Sequence, residues 1–155
     1  MARRKNTKVG DIIAIPVDPG VCAYAQVLVK HHILYVVVFE QLRRCDFSDV
    51  TAIVGDSPAL IGWTLDSKIF HGQWSVIANV PAINWEGFKT PYKVGYVGEM
   101  WVESFDGKRS HIASREERES LHYRTTFSPV SLENAIRAYH KLEPWISDFD
   151  PLLVK

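Results

Sequence analysis

The run Ile33-Leu-Tyr-Val-Val-Val-Phe39 constrains the fold of this chain more than any other segment. It is almost unbroken in β-branched and aromatic residues, the composition of a strand covered on both faces. It is also far short of the about twenty apolar residues that a membrane helix needs. Two further strands lead into it. Asp11-Ile-Ile-Ala-Ile-Pro16-Val17 is followed by Asp18-Pro19-Gly20, a turn in which Pro fixes φ and Gly supplies the left-handed position. Cys22 to Val29 then alternates, with Tyr24, Gln26 and Leu28 on one face and Ala25, Val27 and Val29 on the other. His31-His32 marks the next reversal. Three strands with short links predict an antiparallel meander whose third strand is central.

Further along, Asp46 to Asp56 reads as a polar connection interrupted by Val50 to Val54. Ala59 to Leu65 and Trp74 to Val80 are strand candidates, and Pro81 to Pro91 reads as irregular. Tyr96 to Phe105 alternates, with Val97, Glu99, Trp101 and Glu103 on one face. Asp106-Gly107 suits a tight hairpin onto a returning strand over Lys108 to Ala113. The last third turns helical. Ser114-Arg-Glu-Glu117 is a capping box, and Ser131 is placed to cap a helix carrying Leu132, Ala135, Ile136, Tyr139 and Leu142 on one stripe, with Pro144 as its stop. Strands first and helices last predict an α+β fold. Its sheet is expected to be strongly bent, mainly antiparallel and open to closing as a partial barrel. The C-terminal helices pack on it, with Leu132, Ile136 and Tyr139 facing the sheet.

A chain of 155 residues predicts one domain. Residues 1–8 read as a basic flexible tail and residues 9–155 as that domain. Eighteen Lys+Arg balance eighteen Asp+Glu, which implies no general attraction to nucleic acid or membrane. The basic start, Met1 to Lys8, leads into no apolar h-region and does not read as a secretory signal. A cytoplasmic protein is expected, with Cys22 and Cys45 as reduced, unpaired thiols.

The candidate chemistry is sparse. Val54-Gly55-Asp56-Ser57 resembles the nucleophile block of GDSL esterases, in which a Ser follows a strand, but the C-terminal Asp-x-x-His that would supply the base is missing. The six histidines show neither His-x-His nor the His-Glu-x-x-His spacing. Convergence of His71, His111 or His122 with a distant Asp stays open. No phosphate-cradling glycine loop is present. These patterns imply no catalytic residue, no metal and no cofactor. Single-stranded nucleic acid on a barrel-like sheet is a minor alternative, and the expected partners exclude nucleic acid and membrane.

Charge is unevenly spread. Residues 40–106 carry nine acidic and five basic groups, together with four of the five tryptophans. Acid plus aromatic is the composition of a protein-recognition surface with electrostatic steering. Lys8-Val-Gly10-Asp11-Ile-Ile-Ala-Ile15-Pro16 through Gly20, then Tyr24-Ala-Gln26-Val27-Leu28, resembles immunity protein family twenty-six. The resemblance continues at Gly72 to Ile77, Ser114 to Leu121 and the helix from Ser131. It implies a protein that binds and neutralises a cognate bacterial polymorphic toxin, in the setting of contact-dependent inhibition or type VI secretion, with no catalysis of its own. The alternative it implies is a small metal-dependent organophosphate hydrolase, which would need a hydroxide-activating ligand cluster. Many toxin domains are nucleases with basic clefts, so the toxin-contacting residues are expected in the acidic block: Asp56, Asp66, Glu99, Trp101 and Glu103.

Overall fold

The structure, a computed structural model, describes residues 6–88, 90–96 and 98–154. Most of the expected basic tail, including Arg3, Arg4 and Lys5, lies outside the described residues, as does Val97. In chain order the strands and helices are β1 (Asp11–Asp18), β2 (Val21–Lys30), β3 (Leu34–Phe39), β4 (Arg43–Arg44), α1 (Val50–Gly55), β5 (Pro58–Thr64), α2 (Ser67–Phe70), β6 (Ser75–Asn79), β7 (Tyr92–Tyr96), β8 (Glu99–Glu103), β9 (Arg109–Ile112), α3 (Arg115–Ser120), β10 (Thr126–Phe127) and α4 (Pro129–Tyr139). Among the described residues no helix is long and apolar enough to cross a membrane. The chain divides into two compact units, one formed by the segments before Trp85 and after Thr125, the other by Trp85–Thr125.

The larger unit holds a seven-stranded sheet in the order β10-β5-β3-β2-β1-β6, with β4 paired to the end of β2. All pairs are antiparallel except β10 on β5. The Asp18-Pro19-Gly20 turn links β1 to β2 as the residues demand, with Gly20 at φ 72°. Every residue of β3 is buried at the centre of the sheet, as its unbroken apolar run requires. Register shifts leave an extra residue in β1 at Val17, in β2 at Leu28, in β5 at Ala59 and in β6 at Ile77, and such bulges bend and twist the strands that carry them.

The sheet is open, and the partial barrel is corrected. Closure would require β6 to pair with the far edge. That edge is already used: β10 takes Trp63 and Thr64 of β5, while Leu153 bridges Leu60 and the Val154 N–H donates to the Ala59 carbonyl at 3.2 Å.

One face of the sheet, with Ile13, Ile15, Ala25, Val27, Val36 and Val38, forms a core with Leu132, Ala135 and Ile136 of α4, and Tyr139 packs half-buried against it. The opposite face is buried too, at Ile12, Tyr24, Tyr35, Val37 and Phe39. The cap of α4 is Ser128, whose hydroxyl accepts from the Ser131 N–H, with Pro129 at the first helical position. Ser131, expected to be the cap, is therefore three residues inside. Glu133 is buried on this helix; it pairs with Lys68 and accepts from the Trp74 indole N–H at 3.0 Å, which ties α4 to the segment leading into β6.

The cysteines form a disulfide, Cys22–Cys45, with Cα atoms 4.9 Å apart, and the expectation of unpaired thiols is corrected. The cause is β4, which lies on Val21 and Cys22 and carries Cys45 in beside them. The Tyr24 hydroxyl holds the same segment by donating to the carbonyls of Arg44 at 2.7 Å and Phe47 at 3.3 Å. Val50–Val54, expected to interrupt a connection, is helix α1, capped by the Asp49 carboxylate.

The smaller unit is a three-stranded antiparallel sheet, β7-β8-β9, followed by α3. Its core is Met100, Val102 and Ala113, with Leu121 packed against them. The single strand expected over Tyr96 to Phe105 is two: β7 ends at Tyr96, and Gly98 at φ 102° leads into β8. Gly95 must be glycine, because a Cβ there would lie 2.3 Å from the Glu99 carbonyl oxygen. Asp106-Gly107 closes the β8–β9 hairpin with Gly107 at φ 87°. Ser114 and Glu117 form the expected capping box.

Candidate protein-binding face

Cross-strand register assembles one surface on the smaller unit. Trp101 sits between Val94 and Ile112, Glu103 between Tyr92 and Arg109, and Glu99 opposite Tyr96. Residues directly opposite across a ladder share a face, so these eight lie together. Met100 and Val102 point the other way, into the core. Tyr96 is 67% exposed and Ile112 68%, unusual values for large apolar side chains on a small sheet. Trp101 is half-buried, not core.

Charges on this face are matched. The Arg109 guanidinium stands 5.7 Å from the Trp101 ring centre, and that of Arg124 4.7 Å from Tyr92. Arg124 also donates to Glu103 at 3.2 Å and to the carbonyls of Ser104 and Phe105. The Glu103 side chain is thereby drawn to 18% exposure. Glu99 accepts from the Tyr96 hydroxyl at 2.8 Å and stays exposed, so it is the carboxylate this surface offers to a cationic partner.

The other two expected contact residues lie on the larger unit and do not meet each other. Asp56 follows α1 and takes a bidentate pair from Arg43, with its side chain 13% exposed. Asp66 occupies the N-cap position of α2. Between them runs the whole of β5, seven residues or roughly 20 Å of extended chain. Val54-Gly55-Asp56-Ser57 is the end of a helix leading into β5, whereas the esterase block needs a strand leading into Ser.

His111 bonds on both ring nitrogens: Ser110 Oγ lies 2.9 Å from Nδ1, and Glu117 Oε2 2.8 Å from Nε2. This resembles a serine–histidine–acid relay in composition. Every residue of β9 is exposed, however, and Glu117 also accepts from the Ser114 N–H in the capping box. Those bonds hold the Glu117 carboxyl below its usual range, the Ser114 backbone first and His111 second. The arrangement latches β9 to α3 and leaves water around Ser110, the reverse of a desolvated nucleophile. His71 caps the end of α2, edge-on to Phe70. Among the described residues no group of three or more His, Cys, Asp or Glu could share a metal ion.

Sequence reasoning missed Tyr92, Tyr96, Arg109, Ile112 and Arg124 as members of the face. The available signal was the alternation of Tyr92, Val94 and Tyr96, with glycines at 95 and 98 marking a second hairpin. In comparisons with known proteins, no family model matches the chain, and neither does a curated protein or a solved structure.

Proposed function

We propose that this chain is an immunity protein that binds and neutralises a cognate bacterial toxin domain through the face around Trp101. The observation that carries the reading is the exposure of Tyr96 and Ile112 beside Trp101 and Glu99. An aromatic anchor ringed by matched charges is how protein interfaces concentrate binding energy. The resemblance of the Lys8–Leu28 region to immunity proteins adds the partner class, and cytoplasmic action within a contact-dependent inhibition or type VI system belongs to the same proposal. Nanomolar capture needs about −12 kcal/mol, which a few such anchors supply.

The test is calorimetric titration against the toxin domain that this reading expects to be encoded beside the gene. Trp101→Ala combined with Glu99→Lys should weaken binding by about a hundredfold or more, with the melting temperature held. Glu103 is left intact, because reversing its charge would break the pair with Arg124 and confound affinity with stability. Unchanged affinity in the folded double variant would exclude this face, and absence of any complex with the wild-type chain would sink the immunity reading itself.

A further inference from the structure

The Cys22–Cys45 disulfide is asymmetric in access. Cys22 is 1% exposed within β2, while Cys45 is exposed. Cys45 also lines an open groove with Asp18, Pro19, Gly20 and Arg137. Arg137 and Asp18 face the same groove, and Arg43 and Arg44 are paired with Asp56 and Asp46, so what singles out this sulfur for an incoming thiolate is its access and not its charge. The segment it anchors has other ties. Arg43 pairs with Asp56, Tyr24 donates to two of its carbonyls, the Cys45 N–H donates to Gly20, and Asp49 caps α1. Of this segment only the half-buried Leu42 packs against the core of β1, β2, β3 and α4; none of its residues is among the buried members.

We propose that Cys45 is a thiol-exchange site, at which a dithiol reductant opens the disulfide and loosens residues 40–49 while the sheet stays folded. The reductant thiolate attacks Cys45 Sγ to form a mixed disulfide. The Cys22–Cys45 bond breaks with its electron pair on Cys22 Sγ, which takes a proton. The second thiol of the reductant then displaces Cys45, which leaves as a thiol. The reductant ends as a disulfide, and the protein gains two electrons and two protons. In an oxidising compartment the clasp is closed; in a reducing one it stands open. This device is independent of the face around Trp101.

The experiment uses the full-length chain purified in air, native throughout. Before reduction neither cysteine should take iodoacetamide. After dithiothreitol, label should reach Cys45 before Cys22, read by peptide mass spectrometry. Hydrogen exchange should then quicken by about tenfold or more at the Cys45 and Phe47 amides, with β1–β3 and α4 unchanged. A Cys22→Ser/Cys45→Ser double variant should reproduce the reduced pattern without reductant. The proposal is overturned by labelling of both thiols before reduction, by a bond that native dithiothreitol cannot open, by labelling of Cys22 first, or by reduction that quickens exchange across the whole sheet.

Discussion

At Gly10 the backbone sits at φ 91°, and a Cβ there would lie 2.3 Å from the Val80 carbonyl oxygen. Both facts concern backbone, so nothing nearby can move aside. Gly62 is tight for a different reason: a Cβ would meet the Leu152 side-chain terminus at 2.5 Å. Gly10→Ala should therefore cost about 3 kcal/mol and Gly62→Ala about 1–2 kcal/mol in urea denaturation, the second relieved by rotation of Leu152. Equal losses would contradict the geometry. His140, at the end of α4, has its pKa lowered by burial, with Glu40 pulling weakly in the opposite direction. The unfolded chain then binds this proton more readily than the folded one. Stability is full above the ordinary histidine value and falls as pH drops below about 6.5 toward the folded pKa. His140→Gln should flatten the stability–pH slope in that window, and the His140 imidazole resonance should titrate below the ordinary histidine value.

Helix α4 ends in a Schellman motif: Leu142 N–H donates to the Arg137 carbonyl and Lys141 N–H to that of Ala138. The position between helix and loop is left-handed, and here it is Lys141 at φ 62° instead of glycine. Lys141→Gly should raise stability by about 1 kcal/mol, because it removes the Cβ strain of that conformation. Ser128→Ala should lower it by about the same amount, since the Ser131 N–H loses its acceptor. Thermal melts of the two single variants check both signs. Sequence alone placed this helix and the Leu132, Ala135 and Ile136 part of its buried stripe but misjudged both ends, since Leu142, expected on that stripe, lies past the helix and is exposed. Ser131 was an equally good capping residue, and Pro144 an equally good stop. The choice of Ser128 and Lys141 was made by how the helix seats on the sheet. For β7 the failure was different: five residues, one of them Gly95, give too short an alternation to stand out before their partner strand is known.

For the molecule as a whole, the protection of its larger sheet is uneven. The β5 edge is covered at both ends, by β10 at one and by Leu153 and Val154 at the other. Truncation after Leu152 keeps the core but uncovers Ala59 and Leu60. It should cost about 1 kcal/mol for the lost hydrogen bond and increase concentration-dependent aggregation, measured by light scattering. A truncated chain as stable and as monodisperse as the full one would show that the tail does not guard that edge.

What the sequence settled unaided is what its neighbours in the chain decide. The β1–β2–β3 meander follows from Asp18-Pro19-Gly20 and the apolar run to Phe39, the β8–β9 hairpin from Asp106-Gly107, and the α3 cap from Ser114 and Glu117. Each rests on φ preferences or hydrogen bonds spanning a few residues. The disulfide, the open sheet and the composition of the Trp101 face were decided only by tertiary structure. Cys22 meets Cys45 because β4 docks on β2, and Asp56 loses its outward charge because Arg43 reaches it from that same strand. Glu103 is matched by Arg124, a residue twenty-one positions away. Local patterns fix which face of an element is apolar, but only the pairing of distant segments decides which charge is cancelled, which edge is covered and which aromatic side chain is left in water.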